Sequence, residues 1–190
     1  MSSSSTKGKV KKQRKIVVVG ARAVGKSCLT IRFVDDHFAG IYHPTIENTF
    51  RKTLKFKGEE IIADIVDTAG LDEHSIFGSQ YSVGVHGYVL VYSVASQQSF
   101  EQIPILNDKI LHACGSEEVP RIIVGNKSDL LLERQVSKEQ GKQLANSLKA
   151  LFVECSAKNS ENVENVFLSL VDHIEKKNMP QEDEDACNIL

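Results

Sequence analysis

With 190 residues the chain has room for one domain with a substantial core, since chains near this size bury roughly 70% of their extended surface. A hydrophobic share of 41%, a charged share of 25% and a net charge of −2 describe an ordinary globule and argue against bulk nucleic-acid binding. No apolar run approaches the ~18 residues that would make a membrane-spanning helix. Cys28, Cys114, Cys155 and Cys187 form no C-x-x-C pair, which favours a reducing compartment. The start, Met1 to Thr6, lacks the apolar core of a signal peptide. A cytosolic chain is expected, qualified by its last four residues.

Residues 1–14 are Ser-rich, then Lys-rich, without periodicity, and read as a disordered basic arm. The first 15 residues carry Lys7, Lys9, Lys11, Lys12, Arg14 and Lys15 with no acid. A globular domain over 15–177 and a flexible tail over 178–190 follow. Ile16-Val17-Val18-Val19 is a β-branched run ending at Gly20, the pattern of a strand buried on both faces. A helix is expected over 26–37, with Leu29 and Phe33 on its inner face. Strands over 51–57 and 60–67 flank Lys57-Gly58, a hairpin signal. Further strands are expected over 87–94, 121–126 and 151–155, and helices over 99–113, 137–148 and 162–177. Ser137 with Gln140 forms a capping-box pattern. This alternation implies an α/β fold with a mostly parallel sheet, helices on both faces, and a ligand site beyond the strands' carboxyl ends.

Four segments carry the chemistry. Gly20-Ala21-Arg22-Ala23-Val24-Gly25-Lys26-Ser27 follows a strand and opens a helix. Its glycines let the backbone curl around phosphates, Lys26 reaches them as a point charge, and the Ser27 hydroxyl suits Mg²⁺. Arg22, Ala23, Val24 and Cys28 complete the candidate contacts. Arg22 either crowds the last phosphate or points to solvent. Asp67-Thr68-Ala69-Gly70 closes a strand: Asp67 can hold Mg²⁺ through a water, and Gly70 offers a backbone N–H without a Cβ in the way. Thr45, in a loop between these two segments, is the candidate second hydroxyl on the metal. Losing the last phosphate would release Thr45 and Gly70 together, an order–disorder switch.

Asn126-Lys127-Ser128-Asp129 and Ser156-Ala157-Lys158 suit a guanine ring. The Asp129 carboxylate can accept both N–H donors of guanine and would be unpaired against adenine. Asn126 addresses the N7 edge and ties loops together, and the Lys127 stem covers the base. Ala157 offers its N–H to guanine O6, between Ser156 and Lys158.

These segments resemble the Ras superfamily of small GTPases over residues 15–177, as do Pro44-Thr45-Ile46-Glu47-Asn48-Thr49-Phe50, Asp72-Glu73-His74-Ser75-Ile76-Phe77 and Leu90-Val91-Tyr92-Ser93-Val94. The resemblance implies a P-loop fold of six strands and five helices, with GTP binding and hydrolysis and with Mg²⁺. It further implies effector, GTPase-activating and exchange proteins that read the nucleotide state. It places Phe38, Ala39 and Tyr42 near the nucleotide and gives Lys26, Thr45 and Gly70 catalytic roles. One position departs: most members carry glutamine after Asp-x-x-Gly to orient water, a role the general phosphoryl-transfer scheme assigns to it in Ras, and here Leu71 stands there. Hydrolysis should be slow; the competing reading is a GTP-binding module that signals by occupancy and exchange alone. An ATPase or nucleotide kinase is disfavoured by Asn126 and Asp129.

Cys187-Asn188-Ile189-Leu190 has the C-a-a-X pattern, and its final Leu favours geranylgeranyl. The acidic run Glu182-Asp183-Glu184-Asp185 just before it should be repelled by anionic lipid. The basic arm starts from the other end of the domain and is expected to compensate only in part. Peripheral attachment to internal membranes of low surface charge follows.

Overall fold

The computed structural model describes residues 12–38, 47–71, 75 and 77–178. Six strands form one sheet in the order β2-β3-β1-β4-β5-β6. They are β1 (Lys12–Gly20), β2 (Glu47–Phe56), β3 (Glu59–Thr68), β4 (Gly87–Ser93), β5 (Arg121–Asn126) and β6 (Leu151–Glu154). The β2–β3 pair is antiparallel, and every other pairing is parallel. Lys57 and Gly58 make the hairpin turn with φ of 48° and 79°, the left-handed pair that a two-residue turn between twisted strands requires.

The chain alternation sorts the apolar residues by face. Ile16 and Val18 of β1 are buried with Leu29 and Phe33 of α1 (Lys26–Asp35) and with Val166, Phe167 and Leu170 of α4 (Val163–Asn178). Val17 and Val19 are buried on the opposite face with Ile103, Leu106 and Ile110 of α2 (Gln97–Cys114) and Ala145 of α3 (Lys138–Ser147). A period of two thus serves two cores at once. Phe33 stacks on Phe167 with centroids 4.0 Å apart, fixing α1 against α4. Pro104 lies inside α2; the burial of Ile103, Leu106 and Ile110 around it outweighs the lost backbone bond. The capping box at Ser137 is present in both directions, and α3 starts one residue later.

Four α-helices occur among the described residues, with single 3-10 turns at Ser79–Tyr81 and Leu131–Glu133. One expectation needs correction. The basic arm does not start from the far end of the domain. Residues 12–14 already belong to β1, paired with Ile61, Ile62 and Ala63 of β3. There Arg14 Nε lies 2.6 Å and Lys12 Nζ 3.3 Å from the Glu175 carboxylate of α4, and Lys12 also pairs with Glu59 at 2.6 Å. Those ion pairs offset the polarity that disguises the first residues of β1, and they hold the start of β1 beside the last turn of α4. Residues 1–11 and 179–190 lie outside the described residues. Among the described residues no helix is long and apolar enough to cross a membrane.

Candidate functional site

Four of the parallel strands end at one edge of the sheet, and each delivers a segment there. β1 delivers the phosphate loop, β3 Asp67 and Gly70, β5 the segment beginning at Asn126, and β6 the segment from Ser156 to Lys158. The structure therefore brings together Gly20, Arg22, Ala23, Val24, Gly25, Lys26, Ser27, Cys28, Asp67, Gly70, Leu71, Asn126, Lys127, Asp129, Ser156, Ala157 and Lys158. Ala39, Tyr42 and Thr45 lie outside the described residues, as does Cys187.

The phosphate loop closes on itself. Lys26 is buried, and its ammonium donates to the Gly20 carbonyl at 3.0 Å and the Ala21 carbonyl at 2.9 Å. Burial pushes its pKa down to about 8, while Asp67 pulls it back up. Gly25 has φ of +94°, and a Cβ there would lie 2.5 Å from Asn126 Nδ2. Only glycine accommodates both the left-handed backbone and that approach. Asn126 exploits it: Nδ2 donates to the Val24 carbonyl at 2.9 Å, and Oδ1 accepts from the Ala157 N–H at 3.3 Å. One side chain thus ties the phosphate loop to both base-side loops. Lys127 reaches across the same place, its Cε 3.9 Å from the Cβ position of Gly25.

Asp67 is the electrostatic centre. It is fully buried, and neither carboxylate oxygen has a hydrogen bond of good geometry. The Ser27 hydroxyl nevertheless stands close enough to lower its pKa, as does Lys26, and burial, the largest effect, raises it. Two buried carboxylate oxygens without proper donors are costly. A hard cation with oxygen ligands would remove that cost, and Ser27 beside Asp67 is the matching donor set. The residues present therefore fit magnesium.

Gly70 passes against the phosphate loop: a Cβ on it would stand 2.7 Å from Arg22 Cα. Leu71 N–H then donates to the Gly20 carbonyl at 3.1 Å. The Leu71 side chain turns away into the α2-side core, 8% exposed. Arg22 is exposed. On the base side, the Ser156 hydroxyl donates to Asp129 Oδ1 at 2.6 Å and accepts from the Asn159 N–H at 3.0 Å.

Several organising residues escape sequence reasoning. Arg32 Nε donates to the Ala157 carbonyl at 3.1 Å and its other nitrogens to Lys158 and Asp36, while its guanidinium lies 5.9 Å from the Phe38 ring centre. Tyr81 and Glu47 are joined by a hydrogen bond, and Lys109 holds the Ser75 carbonyl. No spacing signal marks these, because the Arg32–Ala157, Arg32–Lys158, Tyr81–Glu47 and Lys109–Ser75 contacts each span more than 30 residues of chain.

The loop from Gly20 to Ser27 between β1 and α1 is that of a P-loop fold, and a Ras family model matches residues 15–176. The chain belongs to the Ras family of GTP-hydrolysing proteins. It is 56% identical to the GTP-binding protein Rheb homolog of Dictyostelium discoideum over 87% of this chain and 89% of that protein. It is 52% identical to GTP-binding protein rhb1 of Schizosaccharomyces pombe over 89% and 91%. Human GTP-binding protein Rheb is 45% identical over 94% and 98%.

Proposed function

We propose that this protein is a slow GTP-hydrolysing switch of the kind its Rheb-named relatives suggest, tethered to internal membranes through Cys187 and signalling to target-of-rapamycin growth control. The observation that supports it best is the buried Asp67 carboxylate, without proper donors, beside Ser27 and Lys26 in a phosphate loop. Magnesium would be held by Ser27, by Thr45 and, through a water, by Asp67, and bound there it neutralises charge on the phosphate oxygens. Lys26, already desolvated, exchanges the Gly20 and Ala21 carbonyls for phosphate oxygens. Asp129 and the Ala157 N–H read guanine. Gly70 donates its N–H to the last phosphate. Leu71 brings no polar atom to orient water, so hydrolysis is slow. Arg22 adds a long side chain beside Gly70 that narrows the way in for an activating protein's own group.

Direct titration with GTP, GDP and ATP, with and without Mg²⁺, tests the nucleotide assignment; ATP binding as tight as GTP overturns it. For the switch, Thr45→Ala is expected to leave GDP affinity nearly intact and to weaken Mg²⁺-dependent binding of a GTP analogue. Hydrogen exchange over residues 39–50 should show protection with the analogue, lost with GDP and lost in the variant. Equal protection in both states removes this loop from the mechanism.

The membrane reading has its own test. One lipid chain gives marginal binding, and the acidic run at 182–185 opposes anionic lipid. The ion pairs of Lys12 and Arg14 with Glu175 root the basic arm close to where the tail begins, so the arm offsets more of that repulsion than chain order suggests. Cys187→Ser is expected to move the protein wholly into the soluble fraction of a vesicle sedimentation assay. Replacing the four acids with lysines should increase binding to phosphatidylserine vesicles. Unchanged partitioning of Cys187→Ser removes the anchor.

A further inference from the structure

Residues 47–50 open β2, residues 69–71 and 77–81 follow β3, and among the described residues a side-chain bond joins these two segments. The Tyr81 hydroxyl donates to Glu47 Oε2 at 2.6 Å. We propose that this hydrogen bond is a latch that couples the two segments, so that a change of nucleotide felt by one is imposed on the other; this rests on the switch reading above. Tyr81 is then a positioning residue, acting through Glu47 rather than on the nucleotide.

The two partners are held very differently. Tyr81 is a fixed point. Its ring is 8% exposed, lies in the same core cluster as Leu71, and tilts onto Phe77 at 5.6 Å between centroids. Its N–H donates to the Gly78 carbonyl at 3.0 Å, and its carbonyl accepts the Tyr88 hydroxyl at 2.6 Å. Glu47 is an exposed residue at the first position of β2, two residues after Thr45. Its backbone is paired with Thr68 of the Asp-Thr-Ala-Gly segment. The latch thus runs from a rigid core residue to the point where residues 39–46 enter the sheet.

The bond is not needed to build the fold. A phenyl ring would fill the same space in the cluster, and the β2–β3 ladder already sets the Glu47 backbone. What the hydroxyl adds is a charge-assisted bond at the rim of a buried site, and such bonds are short and directional. Burial and the Glu47 carboxylate both raise the Tyr81 pKa, with Gln80 beside it opposing, so the phenol stays protonated and remains the donor. Lys109 Nζ holds the Ser75 carbonyl at 2.8 Å, a separate mooring of the second segment to α2. Cutting the latch therefore frees the first segment while the second keeps its hold.

The test uses the full chain loaded with GDP or with a non-hydrolysable GTP analogue, read by hydrogen exchange over 39–50 and 69–81. In the unsubstituted protein the analogue should protect both segments. Tyr81→Phe should keep nucleotide affinity, lower the thermal midpoint by no more than a few degrees, keep the gain at 69–81, and reduce the gain at 39–50 about fivefold, the factor a net hydrogen bond supplies. Glu47→Gln, which weakens the acceptor without touching the core, should do the same. The double variant should be no worse than either single one, because both remove one shared bond. State-dependent protection of 39–50 that survives both variants, or effects that add, overturns the latch alone. No state dependence in the unsubstituted protein overturns the switch reading and the latch with it.

Discussion

Asp129→Asn is expected to weaken GTP binding by ~10²–10⁴ and to raise affinity for xanthine nucleotides, because a site built to hydrogen-bond one edge of a base rejects the base that mismatches it. The carboxylate is held in place rather than free to adapt. Ser156 donates to its Oδ1 at 2.6 Å, and the Ser156 hydroxyl is itself fixed by the Asn159 N–H at 3.0 Å. An amide of nearly the same shape can occupy that position, so the fold is preserved while a donor replaces an acceptor. Xanthine carries a carbonyl where guanine carries its amino group, and the new donor meets it. Titration of parent and variant with GTP, XTP and ATP checks the result. A variant that keeps its GTP affinity shows that Asp129 does not face the base.

Much of this site is legible because its segments obey local backbone rules. The phosphate loop follows a β-branched run and opens a helix, and Gly25 with φ of +94° marks a position no other residue fills comfortably. β1 and β5 are legible as apolar runs, because Ile16 to Val19 and Ile122 to Val124 are buried on both faces of the sheet. The start of β1 is the counterexample. Lys12, Gln13 and Arg14 look like arm, yet they pair with β3, and their side chains engage Glu175 and Asp64. Ion pairs between residues more than 50 positions apart leave no local trace. The same reason hid the closeness of the start of β1 to Glu175 of α4, the bridge from Arg32 to Ala157 and Lys158, and the bond between Tyr81 and Glu47. Sequence periodicity reports which face is buried, not which polar groups meet across the fold.

Leu71→Gln is expected to raise single-turnover GTP hydrolysis and at the same time to lower stability, two effects that the position ties together. The peptide N–H of Leu71 is committed to the Gly20 carbonyl at 3.1 Å, which sets the backbone beside the phosphate loop whatever side chain follows. The leucine side chain, 8% exposed, fills the core shared with Val19 and Tyr81. A glutamine left in that place would bury an amide at a cost of about 1–3 kcal/mol. Turning it outward relieves that cost, forfeits leucine burial of similar size, and brings the amide to the side where water must be oriented. Phosphoryl transfer depends mainly on positioning and charge stabilisation, so a side chain able to place water is expected to raise the rate. The thermal midpoint should therefore fall by several degrees, as a loss of this size does in a domain of 150–200 residues, roughly 2–4 °C per kcal/mol. Leu71→Met separates the effects: it keeps the packing, brings no amide, and should leave the rate unchanged. A glutamine variant that melts lower but hydrolyses no faster would mean that water is placed by another group, and any limit on the rate would then be sought in the crowding of Arg22 against Gly70.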